Sequence, residues 1–248
     1  MVDAEGMRVW LHAAPTVRSV TVGGDDEAAV RGDVSSRIAR LVDDPPALVL
    51  TGSCSAALEA AATLLDLVPG DEVVVPAFTF PTSISPFAAR GATVRFADID
   101  PGTLGVSADA VRSVTNEHTR AVVAMHYAGV AAPVDELADE WTDAGIDLVE
   151  DAAHGLGATL DGRPLGRLGR FGCLSFHRTK NLSALEGGAL LANRPEDVER
   201  VLVAVDKGTD RAAFEQGRTR SYEWQGLGSA WRMPEAAVRY LREELPGL

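Results

Sequence analysis

Cysteine is nearly absent from this chain: Cys54 and Cys173 are the only two in 248 residues. They form no CxxC pair and stand near no histidine at ligand spacing, which excludes a disulfide framework and a zinc site of the usual pattern. Long apolar runs are missing too. None approaches the roughly 18 residues that a membrane-spanning helix needs. The opening MVDAEGMRVWLHAAP places acids where a secretory signal places basic residues, so the expected location is cytoplasmic and the chain is expected to avoid the membrane. Positive charge is also in deficit: 23 Lys and Arg stand against 36 Asp and Glu, a net charge of −13. Such a field repels polyanions over a Debye length of about 8 Å, so no nucleic-acid partner is expected. A small anionic ligand remains allowed, because a helix N-terminus with a few local cations binds phosphate whatever the global charge.

What the chain has is apolar content, 46% by residue, in a rhythm. From Ala47 onward, short β-branched runs alternate with amphipathic stretches, the pattern of βα units around a largely parallel sheet covered on both faces. About seven strands are expected. They are ALVLT from Ala47, EVVVP from Glu72, TVRFAD from Thr93, RAVVAMH from Arg120, DLVED from Asp147, GCLSFH from Gly172 and GALLAN from Gly188. Helices are expected over Ser53–Leu67, from a Ser107 cap to Val114, over Val134–Asp143, from about Pro195, and over Pro234–Leu245. Residues 1–46 read as an arm with one helix around Ser35–Val42, and residues 47–248 as the main domain. The segment after Lys207 is polar and aromatic, as a surface loop would be.

Four elements carry chemistry. Lys180, in SFHRTKN, follows a strand, where open α/β sheets bind ligands. Partly desolvated there, its amine would shift toward neutrality and become a nucleophile for an aldehyde; taken alone, it reads first as a solvated loop lysine, and its neighbours must supply the case for chemistry. Asp151 ends the strand IDLVED, where a carboxylate needs a partner such as a protonated pyridine nitrogen, or caps the helix that follows. Glu150 should face the other way, since strand side chains alternate. TGSCSAALEAA from Thr51 is a strand end running into a helix start, where free N–H groups and the Ser53 and Ser55 hydroxyls suit a phosphate. In PAFTFPTS, Phe78 and Phe80 lie beyond a strand end, placed to sandwich a planar ring or simply to pack in the core. The glycine run GRLGRFG from Gly166 lacks the dinucleotide spacing and reads as a turn, which disfavours a dinucleotide-dependent oxidoreductase.

Phosphate cradle, stacking aromatic, ring-nitrogen acid and nucleophilic lysine, in that order, resemble the fold-type I enzymes of pyridoxal 5'-phosphate (PLP). More narrowly, PGDEVVVPAFTF at Pro69, VEDAAHGLGA at Val149, GRPLGRLGRFGCLSFHRTKN at Gly162 and EGGALL at Glu186 resemble the DegT/DnrJ/EryC1/StrS sugar aminotransferase family, from about Val49 to Tyr240. TGSCSAALEAA, MHYAGVA at Met125, SFHRTKN and DKGTDRAAF at Asp206 look most like the branch that makes dTDP-4-amino-4,6-dideoxygalactose from dTDP-4-keto-6-deoxyglucose.

The resemblance implies an α/β fold: an aspartate-aminotransferase-like large domain with a mainly parallel sheet of about seven strands flanked by helices, its small C-terminal domain largely missing. It implies PLP as cofactor, with Lys180 bonding the aldehyde and Asp151 meeting the ring nitrogen. His154 would contact the ring hydroxyl, the alternative being a capping or core histidine. Ser175 and the pair Cys54 and Ser55 would touch the phosphate, and Phe80 would stack on the ring, with Phe78 as second choice. Glutamate would donate the amine, a nucleotide-linked 4-keto-6-deoxy sugar would accept it, and the enzyme would be a homodimer. Related sugar dehydrases carry histidine where Lys180 stands, so lysine points to transamination. Lys207, Arg211 and Arg232 are candidate contacts for the sugar nucleotide's diphosphate, or ordinary solvated charges. Ala230 stands where many relatives have an asparagine that reaches the neighbouring subunit's phosphate. A non-catalytic homologue or partner subunit of a longer aminotransferase is the alternative expectation.

Overall fold

The computed structural model describes residues 26–134 and 138–245. Seven strands make one sheet: β1 (Ala47–Thr51), β2 (Glu72–Pro76), β3 (Thr93–Ala97), β4 (Thr119–Met125), β5 (Asp147–Asp151), β8 (Phe171–Ser175) and β9 (Gly188–Ala192). A two-stranded hairpin, β6 (Thr159–Leu160) with β7 (Arg163–Pro164), interrupts the run between β5 and β8. The sheet order is β1-β9-β8-β5-β4-β2-β3. Strands β3, β2, β4, β5 and β8 pair in parallel, and β9 is antiparallel to both of its neighbours. The expected α/β architecture with a mainly parallel seven-stranded sheet is what the chain forms, and each expected strand lies within two residues of its observed bounds.

The helices are α1 (Glu27–Leu41), α2 (Cys54–Leu64), α3 (Ser85–Ala89), α4 (Ala108–Val114), α5 (Ala138–Ala144), α6 (Val198–Val205), α7 (Arg211–Glu215) and α8 (Glu235–Glu244). The hydroxyls of Ser53 and Ser107 accept from Ala56 and Ala110 N–H, and Pro234 precedes α8, as the cap residues imply. The helix expected over Val134–Asp143 is seen as α5, with 135–137 outside the described residues. Helix α1 begins eight residues before the expected Ser35, because Asp26 caps it by accepting from Ala28 N–H. Its Val30, Val34 and Ile38 repeat every four residues and are buried with Val238, Leu241 and Leu245 of the C-terminal segment. The rest of the expected arm, residues 1–25, lies outside the described residues. The segment after Lys207 holds the short α7 and a bridge from Thr209 to Trp224, with Phe214 and Tyr222 paired at 5.6 Å.

Alternation along the strands assigns the two faces. Val73 and Val75, Ala121 and Val123, Val149, and Phe171 and Cys173 pack with the alanine-rich α2 and with α6. Their neighbours Val74, Val122, Ala124 and Leu148 pack with Trp141, and Leu174, Ala189 and Leu191 pack with α1 and α8. Both faces are covered, which is why the strands read as nearly continuous apolar runs. By the same alternation Asp151 falls on the α2 side with Val149, and Glu150 on the opposite side.

Candidate functional site

Because β2, β4, β5 and β8 are parallel, their carboxyl ends lie at one edge of the sheet, and the N-terminus of α2 meets that edge. Gly188 permits this contact: a Cβ there would lie 2.5 Å from the amide nitrogen of Cys54 and 2.5 Å from the carbonyl carbon of Ser53. A cavity of about 540 Å³ opens at the junction. It is lined by Lys180, Asp151, His154, Ser175, Cys54, Ser55, Phe78 and Phe80, so the ring, phosphate and lysine candidates of the sequence are all brought together.

At its floor Asp151 is 2% exposed. Its Oδ2 accepts from Ser83 Oγ at 2.5 Å, and its Oδ1 accepts from Ala153 N–H at 3.1 Å, with the Cys54 thiol 3.9 Å away. Burial and the Asp151 charge push the Cys54 thiol well above its ordinary range, which makes it a neutral wall and not a nucleophile. Lys180 is half-buried, and loss of water lowers its amine from the ordinary lysine value, opposed by Cys54 and Asp151. Burial first, and then Lys180, lower His154. His154 Nδ1 accepts from Ala128 N–H at 3.1 Å, so the neutral ring carries its proton on Nε2 and is a donor there. Tyr127 meets His154 edge-on at 5.7 Å and Phe78 at 5.2 Å, forming an aromatic wall; Phe80 is 61% exposed at the mouth.

The first N–H groups of a helix have no acceptor within it. Ser53 takes that of Ala56, which leaves those of Cys54 and Ser55, the first two residues of α2, for a ligand. Ser55 Oγ and Thr82 Oγ1 are 3.0 Å apart beside them. A helix start with two free amides, a buried acid, a lysine with a lowered amine and aromatic walls in a cavity of this size fit pyridoxal phosphate.

Sequence reasoning missed Thr79, Ser83, Met125 and Tyr127. All but the buried Ser83 line the cavity. The first two stand inside PAFTFPTS, but hydroxyls on a loop are too common to single out.

Lys207, Arg211 and Arg232 line a different cavity, of about 560 Å³, between α1, α7 and the strand-like segment before α8. There they surround Asp206: Arg232 Nη1 lies 2.8 Å from Oδ2, Lys207 Nζ 3.1 Å from Oδ1 and Arg211 Nε 3.9 Å from Oδ2. Burial pushes Asp206 up, and Arg232 and Lys207 outweigh it, holding the carboxyl below its ordinary value. Ala230 forms an antiparallel bridge with the same Asp206. Among the described residues there is no cluster of His, Cys, Asp and Glu that could hold a metal, and no helix is long and apolar enough to cross a membrane.

A model of the DegT/DnrJ/EryC1/StrS aminotransferase family matches residues 36–248. The chain belongs to this family. It is 34% identical over 166 residues to the spore coat polysaccharide biosynthesis protein SpsC of Bacillus subtilis, covering 67% of this chain and 43% of SpsC. It is 30% identical over 192 residues to a UDP-N-acetyl-3-dehydro-alpha-D-glucosamine 3-aminotransferase of Acidithiobacillus ferrooxidans, covering 77% of this chain and 50% of that one. Among solved structures it is similar to Spr1654 of Streptococcus pneumoniae in its PMP form, with a TM-score of 0.78 and 25% identity over 92% of this chain and 62% of that one. Spr1654 is also solved in a PLP form. The family is PLP-dependent, and the DegT/DnrJ/EryC1/StrS chain described here spans about half the length of the curated relatives it matches.

Proposed function

We propose that this chain holds PLP in the α2–β5–β8 cavity and moves an amino group from glutamate to a nucleotide-linked 4-keto-6-deoxy sugar. The observation that carries the reading is the meeting of Lys180 and Asp151 in one cavity with the free start of α2. When bound, PLP supplies an aldehyde that takes an amine covalently and a pyridine ring that draws electrons from it. The amides of Cys54 and Ser55 and the Ser175 hydroxyl would hold the phosphate, Phe80, or Phe78 as second choice, would stack on the ring, and Asp151 would keep a proton at the ring nitrogen. His154 donates from Nε2 to the ring hydroxyl. Lys180, neutral in a larger fraction than a solvated lysine, would be the residue that holds the aldehyde. With its Nζ free, Lys180 would take up the proton that leaves the donor's α carbon and hold it for return to the reacting carbon.

The branch resemblance supports the 4-keto-6-deoxy sugar, and the relatives named for polysaccharide and amino-sugar synthesis support a sugar nucleotide as acceptor. We place the working unit as a homodimer, because the mouth of the cavity carries exposed Phe78 and Phe80 that a second copy would cover. Lys207, Arg211 and Arg232 are proposed as contacts for the diphosphate, which would have to compete with Asp206 for all three. The test is spectroscopic: the purified chain with PLP gives a visible band that borohydride fixes at Lys180 and that glutamate bleaches, and the aminated sugar appears by mass on adding the ketosugar. A chain that takes up PLP without a band, or keeps the band in Lys180→Ala, overturns the reading. A chain that exchanges amines only when a longer homologue is added would be a partner subunit.

A further inference from the structure

Ser83 is fully buried, and its Oγ lies 2.5 Å from Asp151 Oδ2. An ionised carboxylate only accepts, so the one hydroxyl proton of Ser83 goes to Asp151. The Ser83 oxygen is then an acceptor, and Thr79 Oγ1 stands 2.9 Å from it. Thr79 also lies 3.1 Å from Met125 Sδ, but with its proton on Ser83 that is a packing contact. The direction of the chain is therefore fixed: Thr79 donates to Ser83, and Ser83 to Asp151. The second oxygen, Oδ1, is held by the Ala153 amide at 3.1 Å. With Ser83 on Oδ2, and Ala153 and the weak Cys54 thiol at 3.9 Å on Oδ1, the carboxylate cannot turn about its Cβ–Cγ bond without breaking a bond on each side. Ser83 itself is locked by a 3-10 turn whose N–H reaches Phe80 O at 3.0 Å. A short bond of this kind, O–H to O⁻, belongs to the stronger charge-assisted class.

We propose that Ser83, backed by Thr79, is a positioning residue for Asp151: it fixes the plane of the carboxylate and spreads its charge before the ring nitrogen meets it. This rests on the PLP reading above. Its consequence is a coupling within one loop, because PAFTFPTS carries both the ring-facing Phe80 and the two hydroxyls that set the acid beneath the ring. Without the Ser83 proton, more negative charge remains for the ring N–H. The ring proton is drawn toward Asp151, the ring becomes a poorer electron sink, and the nitrogen joining Lys180 to the cofactor keeps its proton to higher pH.

The test is a pH titration of the visible band of the PLP-loaded chain in four forms. Ser83→Ala should move the midpoint upward by about half a pH unit or more, a change of about 3-fold in the underlying equilibrium. Ser83→Thr, which keeps the hydroxyl, should leave it in place, and Thr79→Val should move it the same way by less. An unmoved midpoint in Ser83→Ala, or an equal shift in Ser83→Thr, overturns the proposal. If Ser83→Ala does not fold, Thr79→Val decides: a zero or downward shift sinks the hydroxyl chain. A wild-type chain without any band sinks the PLP reading itself, whereas a band with an unmoved midpoint sinks the role of Ser83 alone.

Discussion

Glu150 and Asp151 are neighbours on β5, both carboxylates and both almost without solvent, yet they do opposite things. Glu150 points to the face away from α2 and is saturated. Its Oε2 meets His126 Nε2 at 2.9 Å and Gly166 N–H at 2.7 Å, and its Oε1 takes Leu168 and Gly169 N–H at 2.6 and 2.7 Å. It clasps the turn GRLGRFG to the sheet. Asp151 takes Ser83 on one oxygen and Ala153, with the weak Cys54 thiol at 3.9 Å, on the other, and its remaining acceptor capacity faces the cavity. Burial of a charge therefore does not mark a site. What marks it is whether the protein has used all of its lone pairs.

The comparison breaks most visibly in activity. Lys180→Ala should remove the visible band and lower amine transfer by about 10⁴-fold or more, and Asp151→Asn should lower it by about 10²-fold or more. Neither should shift the urea midpoint by more than the equivalent of about 1 kcal/mol, because neither residue anchors the core. Loss of folding in Asp151→Asn would make Asp151 a clasp like Glu150 and end the contrast. The complementary change is Glu150→Ala, which leaves three amides and His126 without their acceptor. It should cost about 3 to 5 kcal/mol of stability by urea denaturation, while the fraction that remains folded still binds PLP. A Glu150→Ala chain as stable as wild type would show that the turn holds itself.

How much of this was legible in the sequence follows the same line. Each strand could be read because a two-side-covered sheet leaves an unbroken apolar run, and Ser53, Ser107 and Pro234 announced their helices by local chemistry. Alternation alone put Glu150 opposite Asp151. The partners of each carboxylate were not legible, since Ser83 reaches Asp151 across 68 residues and Gly166 reaches Glu150 through a turn whose glycines showed only that it bends. Lys207, Arg211 and Arg232 look like an anion site in sequence because cations cluster. Their electrostatic partner, Asp206, is adjacent to Lys207, but only the bridge from Asp206 to Ala230 brings Arg232 onto it. The start of α1 was obscured by Gly32 and Asp33, which tertiary packing against α8 overrides.

A smaller effect sharpens the cavity side of the comparison. Gly188→Ala places a Cβ against the backbone of Ser53 and Cys54, so the start of α2 must move away from β9. Overpacking of this kind should cost about 1 to 3 kcal/mol. Because the displaced atoms are the phosphate-facing amides, PLP affinity should fall more than stability does, by about 10-fold beyond any loss of folded chain. Equal losses of both, measured by titration of the band and by urea, would mean that the helix start serves packing alone.

The smallest effect concerns His154, and its sign is decisive. Its folded value lies below the ordinary 6.5 because burial and Lys180 disfavour the imidazolium. Between the folded and unfolded values the unfolded chain binds a proton that the native chain does not, so stability rises with pH through that window and falls on acidification. In the PLP-free chain, the advantage of wild type over His154→Gln should therefore shrink as pH drops from about 7 to about 5, read as the difference in urea midpoints. The effect is modest because the ring is only half-buried and water screens it. An advantage that instead grows on acidification would mean that His154 is protonated beside Asp151. Its Nδ1 could then no longer accept from Ala128, and a charged ring would compete with the cofactor for the acid that Glu150, sealed on the other face, can never supply.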